Sequence, residues 1–236
     1  DDMLMPQCEE ASRLVDKSTG RFFHAQTRPI KVDWPGTSFT LYLPFDLLSL
    51  TTLTNGDGNI IPATDPTSGV QIIYLYDTYD FPKYKIELGI NSGKVFLFTG
   101  TPQQSLTLTG IWGYPAYEKT GEWYTAVTTV QDAVAQNATQ TTLMVPTGMI
   151  QAGQTAYIGT EMELVQSVSV LTPSSNYDTL TVTRGAFGTT AATHANGAAV
   201  NVVTIHPDIF HATLRIVGFY YRQKDASAYD GTIGVD

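Results

Sequence analysis

Two long regions of this chain, Ile30 to about Gly113 and Ala126 to Ile205, alternate apolar and polar side chains at every second residue, and that period constrains the fold more than any other feature. A period of two sends successive side chains to opposite faces of an extended strand. In the first region the runs are "SFTLYLP", "LLSLTTL", "VQIIYLY", "YKIELGI", "KVFLF" and "SLTLTGIWG". In the second they are "TTLMVP", "GQTAYIG", "EMELVQSVSVLT", "DTLTVTRG" and "AAVNVV". Gly, Pro, Asn or Asp bounds each run, which is the signature of antiparallel strands joined by short turns. "TNGDGN", Thr54 to Asn59, is a strong turn because Gly56 and Gly58 can take positive φ.

Only the two ends carry a helical period. Cys8, Ala11, Leu14, Val15, Ser18 and Phe22 share one modest face after Pro6, and Gly20 supplies a C-terminal cap. Near the other end, "HPDIFHATLRIVGFYYRQKD" starts at Pro207 with Asp208 in its first turn. Its Ile209, Phe210, Thr213, Leu214, Ile216, Val217, Tyr220 and Tyr221 make a wide apolar stripe. Leu214, Val217 and Tyr221 share a face predicted to be buried in the subunit or against a neighbour. The closing "ASAYDGTIGVD" has no period; Tyr229 and Ile233 are its bulky apolar anchors.

The two β regions differ in charge: between Ala126 and Ile205 the only Lys or Arg is Arg184. The shift at about Val127 sets the expected boundaries. Residues 1–126 and 206–236 make one domain, with terminal helices packed on an antiparallel β region, and 127–205 is an inserted small β-sandwich or barrel. The fold class is therefore α+β, mostly β.

Composition excludes several functions. With 42% hydrophobic and 15% charged residues, the 236-residue chain can bury a sizeable core. A net charge of -9 and sparse, scattered Lys and Arg argue against tight non-specific DNA binding. Cys8 is the sole cysteine, so no intrachain disulfide or thiolate metal site can form. No stretch approaches the roughly 20 apolar residues of a membrane span. The opening "DDMLMPQ" is acidic, lacks the charged-then-apolar order of a signal peptide, and starts on Asp, as part of a longer chain would.

The chemistry-bearing motifs reduce to structure. His24, His194, His206 and His211 fit no HExxH pattern. His206 reads as a helix cap and His211 as a surface or packed ring, rather than as metal ligands. "GINSGKV" lacks the hydroxyl residue and following helix of a phosphate loop and reads as a hairpin turn. "NGDGNI" has Ile60 where a calcium loop needs glycine. Glu161 and Glu163 share a strand face, read as solvated. Asn137-Ala138-Thr139 is a glycosylation sequon with meaning only in a secreted eukaryotic setting. Trp34, Trp112 and Trp123 read as core or interface rings. No catalytic, cofactor or metal residues are expected. In "LTVTRGAFGTTAATHANGAAV", the small side chains read as a compact loop between two strands, tied down by Arg184 and His194.

Several stretches, in order, resemble the head–tail connector (adaptor) proteins of tailed bacteriophages: "EASRLVDKSTGRFFHAQTRPIKVDW", "FDLLSLTTLTNGDG", "LTLTGIWGYP" and the closing helix. The likeness covers about Glu9 to Tyr114 and Pro207 to Asp225. Compact members of that family lack Val127 to Ile205, which is similar to small β modules of phage virion proteins. The resemblance implies a non-enzymatic virion protein at the neck, made in the host cytoplasm. It also implies a homo-oligomeric, twelve-fold ring between the portal protein and downstream tail or fibre proteins, with DNA passing non-specifically through its channel. An acidic wall suits passage without sticking. In that family the C-terminal segment often reaches the portal, which points to Ala226–Asp236 here. The alternative is a tail-tip, spike-docking or host-carbohydrate binding protein.

Overall fold

The computed structural model describes residues 4–77, 82–115, 123–132, 136–170 and 176–227, and over them the protein is mostly β, with two helices and two antiparallel sheets. Helices α1 (Leu4–Thr19) and α2 (Pro207–Ser227) are the first and last elements and pack on each other. α1 buries Ala11 and Val15 and ends at Gly20, whose N–H reaches back to the Asp16 carbonyl (2.9 Å).

The first sheet runs β1 (Gln26–Val32), β6 (Leu106–Trp112), β2 (Thr40–Thr54), β5 (Lys83–Leu88), β4 (Ile73–Asp77), with the short β3 (Ile60–Ile61) on the end of β2. The alternation read from sequence becomes its inner face: Ile30, Leu53, Ile86, Leu106, Leu108 and Trp112 meet in one core. Trp112 Nε1 donates to the Arg28 carbonyl (3.0 Å) and Trp34 Nε1 to that of Phe96 (2.9 Å), so neither indole N–H is left bare.

Two runs differ from their sequence reading. "SFTLYLP" and "LLSLTTL" belong to one strand, β2, and Pro44 falls in the gap where its register on β5 jumps from Tyr42↔Lys85 to Leu47↔Lys83. A proline cannot donate to a ladder, and a register break is where a strand tolerates one. "KVFLF" joins no ladder as a strand. The buried Asn55 amide holds it instead, donating to the Val95 carbonyl (2.9 Å) and accepting from Leu97 N (3.1 Å).

The second sheet runs β7 (Tyr124–Thr129), β12 (Ala199–Val203), β9 (Thr155–Ile158), β10 (Glu161–Val170), β11 (Tyr177–Thr183), β8 (Thr142–Pro146). Just past β7, the Gln131 N–H donates to the Met144 carbonyl of β8 (2.9 Å), bringing the two edges together into a small barrel. Val130, Leu143, Val145, Ile158, Val165, Leu180, Val182 and Val200 fill it.

A third cluster joins the sheets. Ala25 and Leu48 of the first half meet Trp123, Met162 and Val203 of the second, with Tyr124, Tyr157 and Phe187 around them. Trp123 and Tyr157 lie 4.7 Å apart between ring centroids.

Candidate functional site

The densest polar chemistry sits at one end of the barrel. On β10, Glu161 and Glu163 are in phase with Val165, whose side chain belongs to the barrel core. On β11, the inward sequence Leu180, Val182 continues one step past the strand to Arg184. The same alternation that points valines into the barrel therefore points two carboxylates and a guanidinium there. Glu161 and Glu163 are fully buried, which corrects their reading as a solvated face. The barrel has no water side at these positions, and Arg184 makes the burial tolerable.

Every N–H of Arg184 has a partner. Nε and Nη2 donate to Glu161 Oε1 and Oε2 (2.8 and 2.7 Å). Nη1 donates to the carbonyls of Asn137 (2.7 Å) and Gln140 (2.9 Å), and Nη2 also to that of Ala192. Glu161 in turn accepts from Gly185 N (2.9 Å), Ala192 N (2.8 Å) and His194 Nε2 (2.9 Å). Burial alone raises the Glu161 carboxyl, but the bonds from Arg184, Ala192, Gly185 and His194 outweigh it and hold the group at about 2. His194 N adds a backbone bridge to the Gln136 carbonyl (2.9 Å). Glu161 and Arg184 thus form a clasp joining β10, the end of β11, the Asn137–Gln140 turn and the loop after Arg184.

Glu163 is different. Arg184 Nε lies 3.0 Å from its Oε1, yet the single Nε–H points at Glu161, so both Glu163 oxygens lack a hydrogen bond. Burial pushes this carboxyl up to about 7, with Arg184 pulling it down and Glu161 pushing it up.

Glu161, Glu163 and His194 offer three ligand atoms within 4.8 Å of one another, a spacing that a cation could use. The donor set does not suit one. Five N–H groups already occupy the Glu161 oxygens, His194 Nε2 is turned to Glu161, and a guanidinium stands between the carboxylates. Neither carboxylate has any exposed surface for a substrate to meet. The geometry fixes a loop.

That loop has a second role. Within it the turn Ala186–Gly188 projects onto the first sheet, where Phe187 packs on His24 (5.0 Å between centroids). Gly188, at φ 81°, lies so close to β1 that a Cβ there would sit 2.1 Å from the Thr27 carbonyl oxygen. His24 is itself shifted down by burial, against the pull of Asp16.

The sequence-predicted contacts divide on α2. Val217 is buried (7% exposed), whereas Leu214 and Tyr221 are each 49% exposed. The shared face is therefore not buried within the subunit. Ile209, Thr213, Ile216, Val217 and Tyr220 lie on the more sheltered side of α2, and Phe210, Leu214 and Tyr221 stand clear. Tyr229 and Ile233 lie outside the described residues. His206 accepts from Asp208 N at the start of α2 (3.4 Å). In the sequon, Asn137 Oδ1 is taken up by Thr139 and Gln140 in a turn of its own. Trp112 and Trp123 are buried. Comparison of the chain with protein-family models, with curated proteins and with solved structures finds no match.

Proposed function

We propose that this chain is a structural subunit of a tailed-phage virion, one copy in a head–tail connector ring that joins portal to tail and lets DNA through. The observation that carries the reading is the outer stripe of α2. Phe210, Leu214 and Tyr221 are about half exposed at helical spacing, an apolar face of the kind that assembly covers. The buried ionic clasp supports a structural role for the barrel rather than a catalytic one, since its groups are turned on one another. The acidic balance supports a channel that DNA passes without sticking.

The alternative, a tail-tip or host-carbohydrate binding module, draws on Tyr42, Tyr74, Tyr76 and Tyr84, which are exposed on the first half of the chain. Particle mass and electron-microscope images of the purified protein, alone and with portal rings, separate the two. Closed rings, or co-sedimentation with portal particles, support the connector. A protein that stays monomeric and never joins portal particles overturns it.

A further inference from the structure

Glu163 poses a problem that one proton solves. Gln136 is fully buried, and its Nε2 donates to the Thr142 carbonyl (2.9 Å), which fixes the amide and leaves Oε1 without a donor. Glu163 is also fully buried, both its oxygens are without a hydrogen-bond donor, and the guanidinium beside it donates to Glu161 instead. A buried carboxylate with no donor, beside a second buried carboxylate, is costly unless it carries hydrogen.

We propose that the barrel's clasp is proton-locked: Glu163 carries a proton, and loss of that proton loosens the Gly185–His194 loop together with its contact on the first sheet. The groups facing Glu163 make this coupling specific. On its own strand is Glu161; from the end of β11 comes Arg184, from the return loop His194, and from the segment after β7 Asp132. With Glu163 neutral, the Glu161–Arg184 pair balances itself. Ionised, Glu163 adds a second buried carboxylate beside Glu161 and Asp132 and competes for Arg184 Nε, 3.0 Å away. Any rotation of the guanidinium toward Glu163 pulls its other N–H groups off the Asn137, Gln140 and Ala192 carbonyls that hold the loop. The Phe187–Gly188 turn that meets His24 and Thr27 is part of that loop.

The folded value of Glu163, about 7, lies above the ordinary 4.5, so folding takes up a proton between those two pH values. The lock is complete below about pH 4.5, weakens as pH rises, and is gone above about pH 7. The test is backbone hydrogen exchange on the full chain from pH 5 to 8, as protection factors for Gly185–His194 relative to β6. Wild type is expected to lose protection about tenfold per pH unit up to pH 7 and then level off. Glu163→Gln, which stays neutral at any pH, is expected to stay flat. Equal slopes in the two proteins overturn the proposal. The carboxyl carbon resonance of Glu163 in the wild type gives a decision that does not depend on the variant folding: a protonated shift at pH 5.5 supports the lock, and an ionised one overturns it.

Discussion

Arg184 places five donors on four residues of three chain segments, and no other side chain could replace it. Lysine has the charge but only three donors around one point, too few to reach Glu161 and three carbonyls together. Arg184→Lys is therefore expected to lose about 3 kcal/mol in denaturant unfolding, near the cost of breaking a buried pair. The acid side of the stability profile belongs to Glu161. Its folded value of about 2 lies below the ordinary 4.5, so the folded state binds fewer protons across that interval. The contribution, about 3 kcal/mol, is fully present above pH 4.5 and disappears as pH falls toward 2. Wild type should lose stability steeply over that window in acid titration of the unfolding midpoint, and Glu161→Gln should lose much less. Part of this site was legible in the sequence. Arg184 stands alone as the basic residue of its region, and its role with His194 in tying the loop follows from the small residues around it. The burial of the two glutamates was not legible. Alternation says that Glu161, Glu163 and Val165 share a face but not which face is inside, and carboxylates default to water unless a buried cation is known to wait for them.

Among the elements, α2 shows how a stripe wider than one interface divides. Val217 faces the protein and Leu214 faces out, so aspartate should act differently at each. Val217→Asp buries an unpaired charge and is expected to cost about 3 kcal/mol or more in thermal or chemical unfolding. Leu214→Asp should change stability by less than about 1 kcal/mol and show its effect, under the connector reading, as loss of ring formation by particle mass. The Ala186–Gly188 turn is the sharper case. Gly188→Ala needs a positive φ that alanine resists and places a Cβ on the Thr27 carbonyl, so the turn must lift from β1. A loss of about 2 kcal/mol is expected, with faster hydrogen exchange at Phe187 and its neighbours. The periods of α1, α2 and most strands were plain in the sequence because one neighbouring surface decides each. "KVFLF" was not, because scattered distant groups, the Asn55 side chain together with the Ser38 and Gly56 backbone, supply its hydrogen bonds in place of a continuous neighbouring strand.

At the scale of the whole molecule, the question is whether the barrel is a unit that the rest of the chain carries. The composition shift near Val127 suggested so, and the second sheet takes in β7 from Tyr124, just before that shift. Among the described residues, the barrel core, from Val130 to Val202, contains no residue of the first sheet, and the core of the first sheet contains none of the barrel. The clasp likewise closes within the barrel, since Glu161, Arg184, His194 and their backbone partners all lie between Gln136 and His194. Among the described residues the two halves meet through the small cluster of Ala25, Leu48, Trp123, Met162 and Val203, the Phe187 ring on His24 and the Gly188 contact on Thr27. A fragment spanning 123–205 should therefore fold alone, with a cooperative melt and with Glu161 still titrating in the acid range. It should be less stable than the barrel within the full chain, because Trp123 and Met162 become exposed; at about 1.5–3 kcal/mol for each large apolar side chain returned to water, the loss is a few kcal/mol. Met162→Ser and Trp123→Ser in the fragment should recover solubility without changing the melt much, whereas Leu143→Ala or Val182→Ala should lower it sharply. Circular dichroism melts of the four variants decide the point. A fragment that melts without cooperativity, or that is as sensitive at Met162 as at Leu143, would show that the first sheet completes the barrel.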